Sequence, residues 1–156
     1  MERIIVLGIG NRLMMDDGIG ISLVEELAKL DQTSNNHYLI GESDIDYCIG
    51  KIEDATFTII LDAVCSGKET GEISIYSLAN LHEHQTLDIS PHNLHLFQVL
   101  YQQRETIKGF LIGVEPYEIT FHIGISQTLN EKWDQILLEV KKTIVQLIMK
   151  ENMYID

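Results

Sequence analysis

The sequence predicts an α/β fold, a three-layer α/β/α sandwich around a mostly parallel five-stranded sheet with one antiparallel strand. Three observations lead there. Short apolar runs rich in β-branched residues recur without polar alternation, the pattern of strands buried on both faces. Segments with apolar residues at helical spacing separate most of them. One pair of neighbouring runs is joined too closely for a parallel crossover, so the fourth strand runs antiparallel to the third.

Each element can be justified in turn. Ile4 to Leu7 is a continuous apolar run closed by Gly8 and reads as the first buried strand. Ile19, Leu23, Val24, Leu27 and Leu30 then recur at helical spacing, with Glu25, Glu26 and Lys29 opposite. This predicts a helix from about Gly18 to Leu30, with Asp16 or Asp17 as its N-cap. His37 to Ile40 is a second strand, and Ile45, Cys48, Ile49 and Ile52 suggest a short helix weakened by Gly50. Phe57 to Leu61 is a third strand ending at Asp62, and Ile73 to Tyr76 a fourth. Leu78 to Ser90 is polar and irregular. Pro91 opens a helix with Leu94, Phe97, Leu100 and Tyr101 on one side. Ile107 to Val114 is the fifth strand, and Thr128 to Met149 a long C-terminal helix.

Composition bounds the function. A chain of 156 residues, 45% of them hydrophobic, is expected to form one domain over residues 1–156. Eleven basic residues stand against 24 acidic ones, a net charge of −13. That balance speaks against nucleic acid and against an anionic membrane surface as partners. No apolar run is long enough to cross a bilayer. Cys48 and Cys65 form no CxxC pair. With an N-terminus that lacks the features of a signal peptide, they point to a reducing, cytoplasmic location.

Sheets of this class bind ligands at the carboxyl ends of their strands, where strand order reverses. Three polar positions fall there. The first is Gly8-Ile9-Gly10-Asn11 followed by Asp16-Asp17-Gly18-Ile19-Gly20. A dinucleotide fingerprint is rejected: Leu13 stands where its third glycine belongs, and an acidic pair repels a pyrophosphate. The second is Asp62, a carboxylate at the end of a buried strand, costly unless paired, capping or bound to a cation. The third is His92, whose place at a helix start favours the neutral imidazole that binds metals. Carboxylates and one imidazole make a three-ligand metal site with open positions, suited to Zn²⁺ or Ni²⁺ better than to Mg²⁺.

The run Ile5-Val6-Leu7-Gly8-Ile9-Gly10-Asn11, with Leu13, Asp16, Asp17, Gly18 and Gly20, resembles the opening signature of the hydrogenase maturation endopeptidases. Leu61-Asp62-Ala63 and Ser90-Pro91-His92 agree with that family in order and spacing. So do Gly113-Val114-Glu115-Pro116 and Gly124-Ile125-Ser126. The resemblance implies a twisted five-stranded sheet and a nickel-dependent protease. Its substrate would be the nickel-loaded precursor of a nickel–iron hydrogenase large subunit, from which it removes a C-terminal extension. The family's metal-contacting, catalytic positions fall on Asp17, Asp62 and His92. Nickel would come with the substrate, and zinc or cadmium could occupy the site in vitro.

The chain departs from the family pattern in three places. Asp17 stands where well-known members carry Glu. The family's Gly-rich turn, which helps to recognise substrate, is replaced by Gly41-Glu42-Ser43-Asp44-Ile45-Asp46. Glu42, Asp44 and Asp46 thereby become candidate substrate-binding residues. His95, one helical turn after His92, replaces a small residue and is a candidate auxiliary ligand. Two alternatives stand beside the protease reading: a metal-dependent module that recognises such a precursor without cutting it, and a metal-independent hydrolase of similar fold.

Overall fold

The computed structural model of the chain describes residues 2–83 and 91–153, apart from the side chains of residues 82, 83, 91 and 92. Five strands form the sheet: β1 (Ile4–Ile9), β2 (His37–Glu42), β3 (Phe57–Ala63), β4 (Ile73–Ser77) and β5 (Gly109–Val114). Five α-helices accompany them among the described residues: α1 (Ile19–Leu30), α2 (Ile45–Asp54), α3 (Pro91–Gln102), α4 (Gln127–Glu131) and α5 (Trp133–Met153). The strand order is β2-β1-β3-β5-β4. All pairings are parallel except β4 with β5. The predicted antiparallel strand is therefore β4, placed at an edge beside β5.

The central strands have two apolar faces, and each face carries its own layer. On one, Val6, Ile59, Leu61 and Ile112 pack with Leu23 and Leu27 of α1 and with Ile136, Val140 and Ile144 of α5. On the other, Ile5, Leu7, Ile60 and Leu111 pack with Ile52 of α2 and with Leu96, Phe97 and Leu100 of α3. Successive residues of a strand point to opposite faces, so a run without polar residues feeds both layers.

Several boundaries differ from expectation, each for a local reason. β3 continues through Asp62 to Ala63, because Asp62 and Ala63 pair in register with Gly113 and Val114 of β5. β5 begins at Gly109, where the strand first meets Thr58. In α3, Leu96 is buried and Leu94 is 47% exposed, so the apolar face is turned by about half a turn at that end. The C-terminal helix is interrupted at Lys132, which closes α4 and sends its Nζ to the Thr70 carbonyl at 2.8 Å. Neither Asp16 nor Asp17 caps α1. The N-cap is Gly18, with no side-chain cap, and both aspartates sit in a 3-10 turn over Met15–Gly18.

Gly20 shows why this helix entry is glycine-rich. A Cβ there would lie 2.1 Å from the Leu61 carbonyl oxygen, so α1 rests directly on the backbone of β3. The glycines serve close packing of helix on sheet. Strand order reverses between β1 and β3, and the carboxyl ends of those two strands mark the place to look for chemistry.

Candidate active site

The chain leaves β1 through Gly10, at φ +131°, a conformation open to glycine and poorly tolerated by other residues. A Cβ at Gly10 would lie 2.0 Å from the Asp17 carbonyl oxygen and 3.6 Å from Asp62 Oδ1. The turn thus brings the Asp17 backbone against the end of β1 and sets Asp62 beside it. Asn11 N–H then donates to Asp17 Oδ2 at 2.9 Å. Asn11 also braces the turn through its own oxygens, accepting from Leu13 N at 2.9 Å and Met14 N at 3.1 Å.

Asp62 projects from the end of β3 and is 1% exposed. Its Oδ1 accepts from Ala63 N at 2.8 Å, and its Oδ2 accepts from the Asn93 side-chain amide. Burial first, and the neighbouring charge of Asp17 second, hold the Asp62 carboxyl well above the usual carboxylate range. Burial also raises Asp17, opposed by the hydrogen bond from Asn11. Among the described residues no lysine or arginine pairs with either carboxylate. Two buried like charges without a basic partner form a site that a proton or a cation relieves.

The third predicted member, His92, lies in the first turn of α3, but its side chain falls outside the described residues. Its neighbour Asn93 is 5% exposed and bonded to Asp62, so the start of α3 sits against that carboxylate. Among the described residues no group of three or more His, Cys, Asp and Glu side chains forms a metal-holding cluster. Asp17 and Asp62 are the two predicted ligands whose geometry is visible. Their oxygens fit a divalent cation in charge and donor type. His95 is exposed on α3. Asn93 is a site residue that sequence reasoning missed; its only local signal is a polar residue next to a candidate ligand.

A cavity of about 610 Å³ opens over Asp17. Asn11, Met14 and Ser43 line it from one side and Cys65, Glu115, Tyr117, Glu118 and Ile119 from the other. Ser43 brings the predicted acidic turn to the rim. Within that turn, Glu42 ends β2 at φ +50° and pairs with Arg12 at 3.5 Å. Asp44 caps α2, accepting from Tyr47 N at 3.1 Å. Asp46 is exposed in the first turn of that helix.

Asp16, the neighbour of Asp17, is fully buried and has a different task. Its Oδ2 accepts from Tyr117 N at 2.9 Å, Glu118 N at 3.0 Å and Ser126 Oγ at 2.8 Å. Its Oδ1 accepts from Ser126 N at 2.6 Å. One side chain therefore ties both ends of the segment that follows β5 to the turn that carries Asp17.

These features define a doubly wound α/β domain with a buried carboxylate pair at its topological switch point. Comparison with known proteins gives the class a family. The hydrogenase maturation protease model, HycI, matches residues 21–143. The hydrogenase 2 maturation protease of Escherichia coli (strain K12) is 30% identical over 163 aligned residues, covering 97% of this chain and 99% of its own length. Among solved structures, the hydrogenase maturating endopeptidase HybD from E. coli is similar at a TM-score of 0.76 and 28% identity, covering 92% of this chain and 93% of that one. The NiFe hydrogenase maturation protease HycI from Thermococcus kodakarensis KOD1 shares the fold at a TM-score of 0.67 and 23% identity, covering 90% of each chain. The chain belongs to the hydrogenase maturation protease family.

Proposed function

We propose that this chain, acting as one domain over residues 1–156, is a metal-dependent endopeptidase. It removes the C-terminal extension from the nickel-loaded precursor of a nickel–iron hydrogenase large subunit. The observation that carries this reading is the Asp17–Asp62 pair: two buried carboxylates, no basic partner among the described residues, and a cavity that opens over Asp17. Family membership and the names of the relatives support the substrate.

In this reading nickel arrives as part of the substrate, where its Lewis acidity would serve to polarise the scissile carbonyl or an attacking water. Asp17 and Asp62, with His92 from the start of α3, hold the metal end of the precursor. Asn11 N–H and the Asn93 amide fix the two carboxylates so that little reorganisation is needed on docking. A carboxylate oxygen of Asp17 or Asp62 takes the proton of the water and returns it to the leaving amine. Glu42, Asp44 and Asp46 lend the rim a negative field that favours a basic stretch of the precursor. We assign the protein to the cytoplasm, the reducing location that two cysteines without a CxxC pair suggest; no helix of the described residues is long and apolar enough to cross a membrane.

The test is shortening of purified nickel-loaded precursor, followed by mass spectrometry. His92→Ala and Asp62→Asn are each expected to lower the rate by at least about 100-fold, as loss of a ligand should, with circular dichroism unchanged. A stable complex that is never shortened would favour the recognition module. Shortening of nickel-free precursor that persists in the presence of a chelator would favour the metal-independent hydrolase.

A further inference from the structure

The segment between β5 and α4 carries side chains that neither core accounts for. Tyr117, Ile119, Phe121 and Ile123 alternate along it and are 59%, 43%, 77% and 75% exposed. Leu13, 47% exposed, belongs with them. Met14 and His122 form a parallel bridge, which sets Leu13 beside Phe121. Together these side chains expose on the order of 500 Å² of apolar surface, the size of the largest patch on an ordinary monomer.

This ridge is held in place. Asp16 fixes Tyr117 and Glu118 at one end and Ser126 at the other. In the middle, His122 N donates to the Leu13 carbonyl at 2.8 Å, and Met15 N donates to the His122 carbonyl at 2.9 Å. A fixed apolar ridge binds without paying to order a loop.

We propose that the ridge is the docking surface for the folded body of the precursor, and that it seats an apolar patch bordered by basic side chains. The proposal rests on the protease reading above and adds where the precursor is gripped. Two observations select this occupant. The ridge is continuous with the cavity, since Tyr117 and Ile119 line the space that contains Asp17. A partner on the ridge therefore also reaches Asp17. The cavity is acidic, with Asp17 and Glu118 among the lining and no lysine or arginine in it. A second copy of this chain, at net charge −13, would bring acidic rim against acidic rim and cover the cavity mouth.

The experiment is steady-state shortening of the purified nickel-loaded precursor by the wild type, the double variant Phe121→Ser/Ile123→Ser, and Leu138→Ser. Leu138 is 67% exposed on α5 and serves as a control for loss of surface apolarity. The double variant is expected to raise KM at least 20-fold with the loss confined to KM, and Leu138→Ser to match the wild type. Phe121→Leu, which keeps the apolar surface, is expected to stay near the wild-type KM. A double variant with wild-type KM overturns the docking assignment while leaving the protease reading intact. So does a wild type that sediments as a dimer and a double variant that sediments as a monomer, which gives the ridge to a second copy. A wild type that neither binds nor shortens the precursor overturns the protease reading, and the docking assignment falls with it.

Discussion

The turn after β1 buries two consecutive carboxylates and treats them in opposite ways. Asp16 accepts four hydrogen bonds, from Tyr117 N, Glu118 N, Ser126 N and Ser126 Oγ. Asp17 accepts one from Asn11 N and faces Asp62 across the site. Glu115 repeats the first pattern: its Oε1 accepts from Ser66 N, Ser66 Oγ and Lys68 N and so shapes the cavity wall. A buried carboxylate surrounded by donors is a structural tie, since its charge is fully used inside the protein. One set against another carboxylate with few donors retains charge for a ligand. Donor count, more than burial, separates the two.

The largest effect should come from cutting the tie. Asp16→Ala strands four donors, three of them backbone groups at the ends of the ridge segment. Each unsatisfied buried donor costs roughly 1–3 kcal/mol, and relaxation of the segment recovers part of the total. The expected loss is about 4 kcal/mol of unfolding free energy, read from urea denaturation. A loss below about 1 kcal/mol would mean that the segment holds its place without Asp16, and the comparison between the two aspartates would break.

Asp17→Asn should do the reverse. The neutral amide keeps an oxygen for Asn11 N–H and removes the charge that faces Asp62. Burial raises Asp17, and burial with the Asp17 charge raises Asp62 well above the ordinary range. A folded-state pKa above the unfolded value means that the folded protein binds more protons in between. Stability therefore falls as pH rises from about 4 through the folded-state pKa, and the cost is fully present above it. Relief of like charge at such a site is worth about 1 kcal/mol, limited by the part of Asp17 that faces the open cavity. Asp17→Asn should thus be more stable than wild type at neutral pH by about that amount, lose the advantage by about pH 3, and fail to shorten precursor. Urea denaturation at two pH values checks it; a variant less stable at neutral pH would show that the pair is not in conflict.

Much of this architecture was legible because its signals are local. The runs Ile4–Leu7 and Phe57–Leu61 need burial on both faces, and the short link before Ile73 forces one antiparallel strand. Asp62 was legible as a costly carboxylate at a strand end. The separate roles of Asp16 and Asp17 were not, because the donors to Asp16 come from residues 117–126, about a hundred positions away. Asn93 was missed for the same reason, since its bond to Asp62 spans 31 positions. The turn of α3 toward Leu96 depends on how that helix meets β1 and β3. Tyr117, Ile119, Phe121 and Ile123 alternate in sequence, and that pattern cannot reveal that the fold leaves all four exposed.

The smallest effect should come from the acidic turn, which extends the comparison to charges in solvent. Glu42, Asp44 and Asp46 are exposed, and each can lose its charge with little structural cost. Asn caps a helix as well as Asp, so Asp44→Asn keeps the bond from Tyr47 N that starts α2. Glu42→Gln leaves Arg12 its nearer partner, Glu25 at 2.7 Å. What the triple variant Glu42→Gln/Asp44→Asn/Asp46→Asn removes is field at the rim, where Ser43 of the same turn meets the cavity. Solvent and ions screen such a field within about 10 Å at 0.1 M salt. Precursor affinity should therefore fall a few-fold at low salt and match the wild type at high salt, with the rate on captured substrate unchanged. Titration calorimetry across salt concentrations reads it. Equal affinities at every salt concentration would show that this turn is a solvated loop and that the acidic field relevant to substrate ends at the cavity wall.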